Sequence, residues 1–116
     1  MTLQQAYEKW LLFRRDYTSA KNKTIKENMY DWNKYYKNTE LASMKLKDIT
    51  PKILIRFFWH LTKDRTYTYK RISNARSVLN GILSWAIEEE IIIHNPLSDV
   101  NFKTFSYKPV EFNTFR

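Results

Sequence analysis

A single glycine, Gly81, serves the whole 116-residue chain, and only three prolines, Pro51, Pro96 and Pro109, accompany it. Tight β-hairpins lean on glycine to supply backbone conformations that other residues resist. Turn punctuation this sparse predicts an all-α fold, a compact bundle of four to five helices.

Apolar periodicity places the helices. Leu3, Tyr7, Trp10 and Leu11 repeat at helical spacing, and Thr2 with Gln5 forms a capping-box pattern, so a first helix is expected over about 2–17. Thr24 and Glu27 make a second such pattern ahead of the stripe Ile25, Met29, Trp32, Tyr36, giving a helix over about 24–38. Thr50 before Pro51 pairs an N-cap with a proline at the first helical position, and Ile53, Leu54, Phe57, Phe58 and Leu61 follow as a buried face over about 51–62. Ile72, Ala75, Leu79, Ile82, Leu83, Ala86 and Ile87 hold one face from about Thr68 to Glu90, a rod of roughly 35 Å that should be the centre of the fold. Asn95-Pro96 disfavours further helix, and Leu97 to Val100 are expected to add one turn. Residues 1–100 therefore read as one helical domain, and 101–116, which show no sustained period, as a linker.

Charge is unevenly spread. Residues 1–87 carry 17 Lys/Arg against 7 Asp/Glu, whereas 88–116 carry 3 against 5, within a net charge of +8. The positive field belongs to the helical body and favours nucleic acid or another anionic surface. The stretch KDRTYTYKRISNAR, residues 63–76, concentrates it, with five cations and one acid.

Two ridges emerge on helical wheels. On the fourth helix Lys70, Ser73, Asn74, Ser77 and Gly81 gather opposite the apolar stripe, offering one cation and short hydrogen-bonding groups. Lys63, Arg65, Thr66 and Thr68 lie just before its N-terminus, where free N–H groups and the helix dipole favour phosphate. The plainer reading is that Thr66 or Thr68 caps the helix while the cations are simply solvated. On the second helix Lys26, Tyr30, Asn33 and Lys37 share a narrow arc away from the apolar stripe, and Lys21 and Lys23 extend it. Arg71 and Arg76 flank the fourth-helix ridge and carry less weight. Gly81 either admits a close backbone approach or lets a helix cross over it, and Val78 and Trp85 are expected to pack against a neighbouring helix.

Other chemistries find little support. The absence of cysteine excludes disulfides and thiolate metal sites and suits a reducing cytoplasm. His60 and His94 show no ligand spacing, so no metal or other cofactor is expected. Adjacent acids Glu88, Glu89 and Glu90 point in different directions on a helix and read as solvated. Glycine-rich phosphate loops, an HExxH pair and a GxSxG elbow are missing, and no run is long enough for a membrane span.

TLQQAYEKWLLFRR, KTIKENMYDWNKYY, LKDITPKILIRFFWHL and TYTYKRISNARSVLNGILSWAIEEEIIIHNPL, in this order, resemble the core-binding domain of tyrosine recombinases, the SAM-like domain of phage and conjugative-transposon integrases. The most specific part is the A-I-x-x-x-x-I-x-x-N-P-L ending, and the resemblance covers about residues 2–100. It implies a helical bundle forming half of a clamp on double-stranded core-site DNA, with the second and fourth helices lying across the major groove. Contacts would fall on Lys26, Asn33, Lys37, Lys70, Asn74 and Ser77, with Lys63, Arg65, Thr66 and Thr68 on the backbone. The nucleophilic tyrosine and its catalytic partners would lie in a domain after residue 116, and other recombinase protomers would share the DNA. This chain is then a DNA-binding fragment, non-catalytic and monomeric by itself, from a cytoplasmic bacterial or phage-encoded enzyme. Two other classes compete: a helical protein-interaction domain whose charge serves an acidic partner, and a self-sufficient nuclease.

Overall fold

The computed structural model describes residues 1–110 and contains five α-helices and, among the described residues, no β-strand. Helix α1, Leu3–Tyr17, begins at the expected capping box: the Thr2 hydroxyl accepts the Gln5 N–H at 3.2 Å and the Gln5 side chain accepts the Thr2 N–H at 2.9 Å. Helix α2, Asn22–Tyr35, starts two residues before the position expected. The chain turns into it at Lys21, which has no side-chain cap, so Thr24 falls inside the first turn and the predicted Thr24/Glu27 box does not define the start. A four-residue helix that periodicity could not reveal, α3 (Glu40–Ser43), follows with Thr39 as its cap.

Helix α4, Pro51–Thr62, and helix α5, Tyr69–Glu88, match expectation closely. Thr50 accepts the Ile53 N–H at 3.2 Å, and Thr68 accepts the Arg71 N–H at 3.3 Å. Short 3₁₀ turns occupy Leu46–Asp48, Pro96–Asp99 and Phe102–Thr104. None of the helices is long and apolar enough to cross a membrane.

The core is organised around α5. Ile72, Ala75, Val78, Leu79, Ile82, Leu83, Trp85 and Ala86 are buried along it, including the two flank residues expected to meet a neighbouring helix. Helices α1 and α2 both pack on this rod and on each other. Between them Tyr7 stacks on Trp32 at 4.2 Å and 5°, and Trp32 leads on to Tyr36 at 5.3 Å. The fully buried Tyr36 donates its hydroxyl to the Ala75 carbonyl at 2.5 Å, which ties α2 to the middle of α5. A buried hydroxyl without such a partner would cost about 1–3 kcal/mol.

The chain after residue 100 departs from expectation. Phe102 and Phe105 are buried, and Phe102 meets Phe58 of α4 edge-on at 4.7 Å. Arg76 of α5 lies 4.8 Å above the Phe102 ring, the Tyr107 hydroxyl donates to the Phe102 carbonyl, and the Lys108 N–H reaches the Tyr67 carbonyl at 2.8 Å. The segment lacks helical periodicity because it is too short for any, yet aromatic burial of this kind fastens it to the body. The rest of the expected linker, 111–116, lies outside the described residues.

Candidate nucleic-acid interface

The α2 ridge is exposed where the wheel places it, although Met29 of the expected apolar stripe is also exposed and Ile25 only half-buried. Trp32, Tyr35 and Tyr36 turn inward, and Lys21, Lys23, Lys26, Tyr30, Asn33 and Lys37 are all exposed. None of these lysines makes an ion pair with another described residue; the pairs found are Arg15–Asp16 and His94–Asp99. An unpaired surface ammonium keeps its full field for an incoming anion.

The α5 ridge is narrower than the wheel implied. Lys70, Asn74 and Ser77 are exposed, but Ser73 is half-buried, and Ser77 spends its hydroxyl proton on the Ser73 carbonyl at 3.0 Å. Ser77 therefore faces a ligand chiefly as an acceptor. At Gly81 the face ends, because α1 crosses there. A Cβ on Gly81 would stand 2.7 Å from Cζ2 of the buried Trp10, so the glycine serves helix crossing and not an external ligand.

The approach to α5 also divides. Lys63 is the C-cap of α4, with its ammonium 5.9 Å above the Trp59 ring, and Arg65, at φ 53°, closes the α4 exit by donating its N–H to the Thr62 carbonyl at 2.9 Å. These two cations therefore sit at the carbonyl end of one helix, where the dipole stabilises them. Thr66 is exposed at the turn, and Thr68 is the cap itself, its oxygen already engaged by Arg71.

Tertiary structure adds residues that the separate wheels did not select. Lys34 of α2 points its ammonium at three tyrosine rings, Tyr30 at 5.7 Å, Tyr35 at 5.9 Å and Tyr67 at 5.6 Å. Tyr67 precedes α5, so this cluster joins the two ridges at one point. The Tyr35 ring meets Tyr67 edge-on at 5.3 Å, and its buried hydroxyl has no hydrogen-bond partner among the described residues. Asp31 and Arg71 lie near the same junction without forming an ion pair. Burial raises the Asp31 carboxyl above its ordinary range, opposed by the charges of Arg71 and Lys34 and assisted by that of Glu27. The Tyr30/Lys34 spacing of four was available in the sequence, whereas the approach of Tyr67 and Arg71 to α2 required the fold.

Fold and surface together define a small all-α protein with exposed lysines and tyrosines on α2 and at the start of α5. No protein-family model, curated protein or solved structure matches the chain.

Proposed function

We propose that this protein is a double-stranded DNA-binding module in which α2 and the N-terminal half of α5 grip the phosphate backbone, as in the core-binding domain of the tyrosine recombinases its sequence resembles. The observation that carries the reading is the meeting of the lysine-rich ridge from Lys21 to Lys37 with the ridge from Lys70 to Ser77, which offers one cation and hydrogen-bonding groups, at the Tyr30/Lys34/Tyr67 cluster. Lysine and arginine side chains on phosphate supply affinity without sequence preference, and Asn33 and Asn74 offer the amide geometry that reads adenine edges. Strand cleavage and rejoining in the parent recombinase belong to a further domain, and this segment positions core-site DNA for it.

Charge reversal tests the reading. Lys26→Glu with Lys70→Glu should abolish binding to duplex DNA while helicity and melting temperature stay as in the parent, since both side chains are exposed. Unchanged binding by that folded variant would instead favour a protein-interaction domain with no role on DNA. Duplex DNA incubated with the protein and magnesium should remain uncut, and cleavage would point to a nuclease.

A further inference from the structure

The side of the molecule formed by α3 and α4 is chemically distinct from the DNA-facing ridges. A groove of about 560 Å³ runs between them, with Leu41, Met44, Ile53, Phe57 and Leu61 among its apolar lining residues and Arg56 and His60 on its α4 edge. That volume is within the range of small-ligand sites. Helix α4 contains no acid, and Lys52, Ile55, Arg56, Trp59, His60 and Lys63 are exposed at helical spacing along it. Ile55 is 41% and Trp59 52% exposed, so an apolar stripe continues out of the groove between cations.

The opposite chemistry stands at the end of α5. Glu88, Glu89 and Glu90 are exposed and make no ion pair with another described residue. Ile91, Ile92 and Ile93 follow, and Ile93 is 99% exposed, more than any other large apolar side chain described. Glu90 adopts φ 62° where the helix ends, after which Ile91 and Ile92 turn back half-buried against the core and Ile93 alone projects. One surface is thus an apolar groove with Arg56 and His60 on its α4 edge and Glu40 on its α3 edge, and the other a single exposed isoleucine, Ile93, preceded by acids.

We propose that the Glu88–Ile93 projection of one copy of this chain docks in the α3/α4 groove of a second copy, with Ile93 in the apolar floor and the glutamates beside Arg56 and Lys52. A knob and a hole at different places on one molecule make a head-to-tail contact, which adds copies one after another unless the rotation closes a ring. The uneven charge along the sequence favours that order, since the acid-rich end of one copy meets the cationic body of the next. A single short segment buries less than the roughly 1,200 Å² typical of stable complexes, so the contact is weak and the free protein is monomeric when dilute. The inference needs no DNA and stands apart from the DNA-binding reading.

Sedimentation equilibrium of the full 116-residue chain, without DNA, provides the test. The weight-average mass should rise with concentration between about 50 µM and 1 mM, in the range expected of a small interface. Arg56→Glu, which spoils the groove, and Ile93→Asp, which spoils the knob, should each weaken association by about tenfold or more. Both positions are exposed, so both variants keep the fold. The decisive sample is an equimolar mixture: Arg56→Glu brings an intact knob and Ile93→Asp an intact groove, so the mixture should form pairs and nothing larger. A parent protein that stays monomeric at about 1 mM, or a mixture that does not pair, would overturn the proposal.

Discussion

Gly81 and Trp10 are matched in shape: a methyl group on Gly81 would come within 2.7 Å of Trp10 Cζ2 and 3.1 Å of Cε2. The indole lies where an alanine side chain would otherwise sit, and this lets α1 approach the middle of α5. Replacing a mid-helix glycine by alanine ordinarily gains about 0.8–1.0 kcal/mol of helix propensity. Overpacking a filled core costs about 1–3 kcal/mol. Because Trp10 is buried and ring-stiff, the steric cost should win. Gly81→Ala is expected to lower stability by about 1–2 kcal/mol, read as a reduced urea midpoint, and Trp10→Phe in the same chain should recover part of the loss.

The aromatic tail gives a second prediction. Phe102 is buried against Phe58 and covered by Arg76, so Phe102→Ala should destabilise the protein by about 3 kcal/mol or more, as for other buried phenylalanines. A segment that merely linked this domain to another would tolerate the change without effect. Chemical denaturation of the single variant separates the two outcomes.

Alkaline pH should loosen the fold. Burial raises the hydroxyls of Tyr7, Tyr35 and Tyr36 above the ordinary tyrosine value of 10.0 and pushes Tyr107 up to about 12. Unfolded tyrosines lose their protons from about pH 10, while these native ones hold theirs, so the native state binds more protons above that pH. Stability contributed by the neutral hydroxyls is complete below pH 10 and falls as pH rises towards the native values. Tyr36→Phe, which also removes the bond to Ala75, should lower stability at pH 7 by about 1 kcal/mol yet flatten the decline measured between pH 9.5 and 11.5.

Binding to duplex DNA should depend steeply on salt. If five phosphates are neutralised, log K should fall against log[salt] with a slope of about −4.5, and a flat response would sink the electrostatic reading. Asp31 opposes the surrounding cations at the α2/α5 junction, and burial already disfavours its charge. Asp31→Asn should therefore raise DNA affinity several-fold at pH 7, with a melting temperature no lower than the parent's.

Much of this architecture was legible beforehand. Thr2/Gln5, Thr50-Pro51 and Thr68 mark three of the long helices to within a residue, because caps and apolar stripes act over one or two turns and are written in adjacent letters. The start of α2 was displaced because a threonine followed by a glutamate three residues later is compatible with the helix interior as well as with a cap. Most of the α2 ridge could be drawn on one wheel, since Lys23, Lys26, Tyr30 and Asn33 share a helix, with Lys21 and Lys37 just beyond its two ends.

The sequence by itself determined the all-α class, the central rod and the cationic bias of residues 1–87, all consequences of local spacing and composition. Only the tertiary structure decided which glycine neighbour mattered, that Phe102 and Phe105 close the core, and that Lys34, Tyr67, Asp31 and Arg71 meet at one junction. Those relationships join residues far apart along the chain. They depend on how helices cross, which is set by the summed packing of side chains on different elements and not by the period of any one of them.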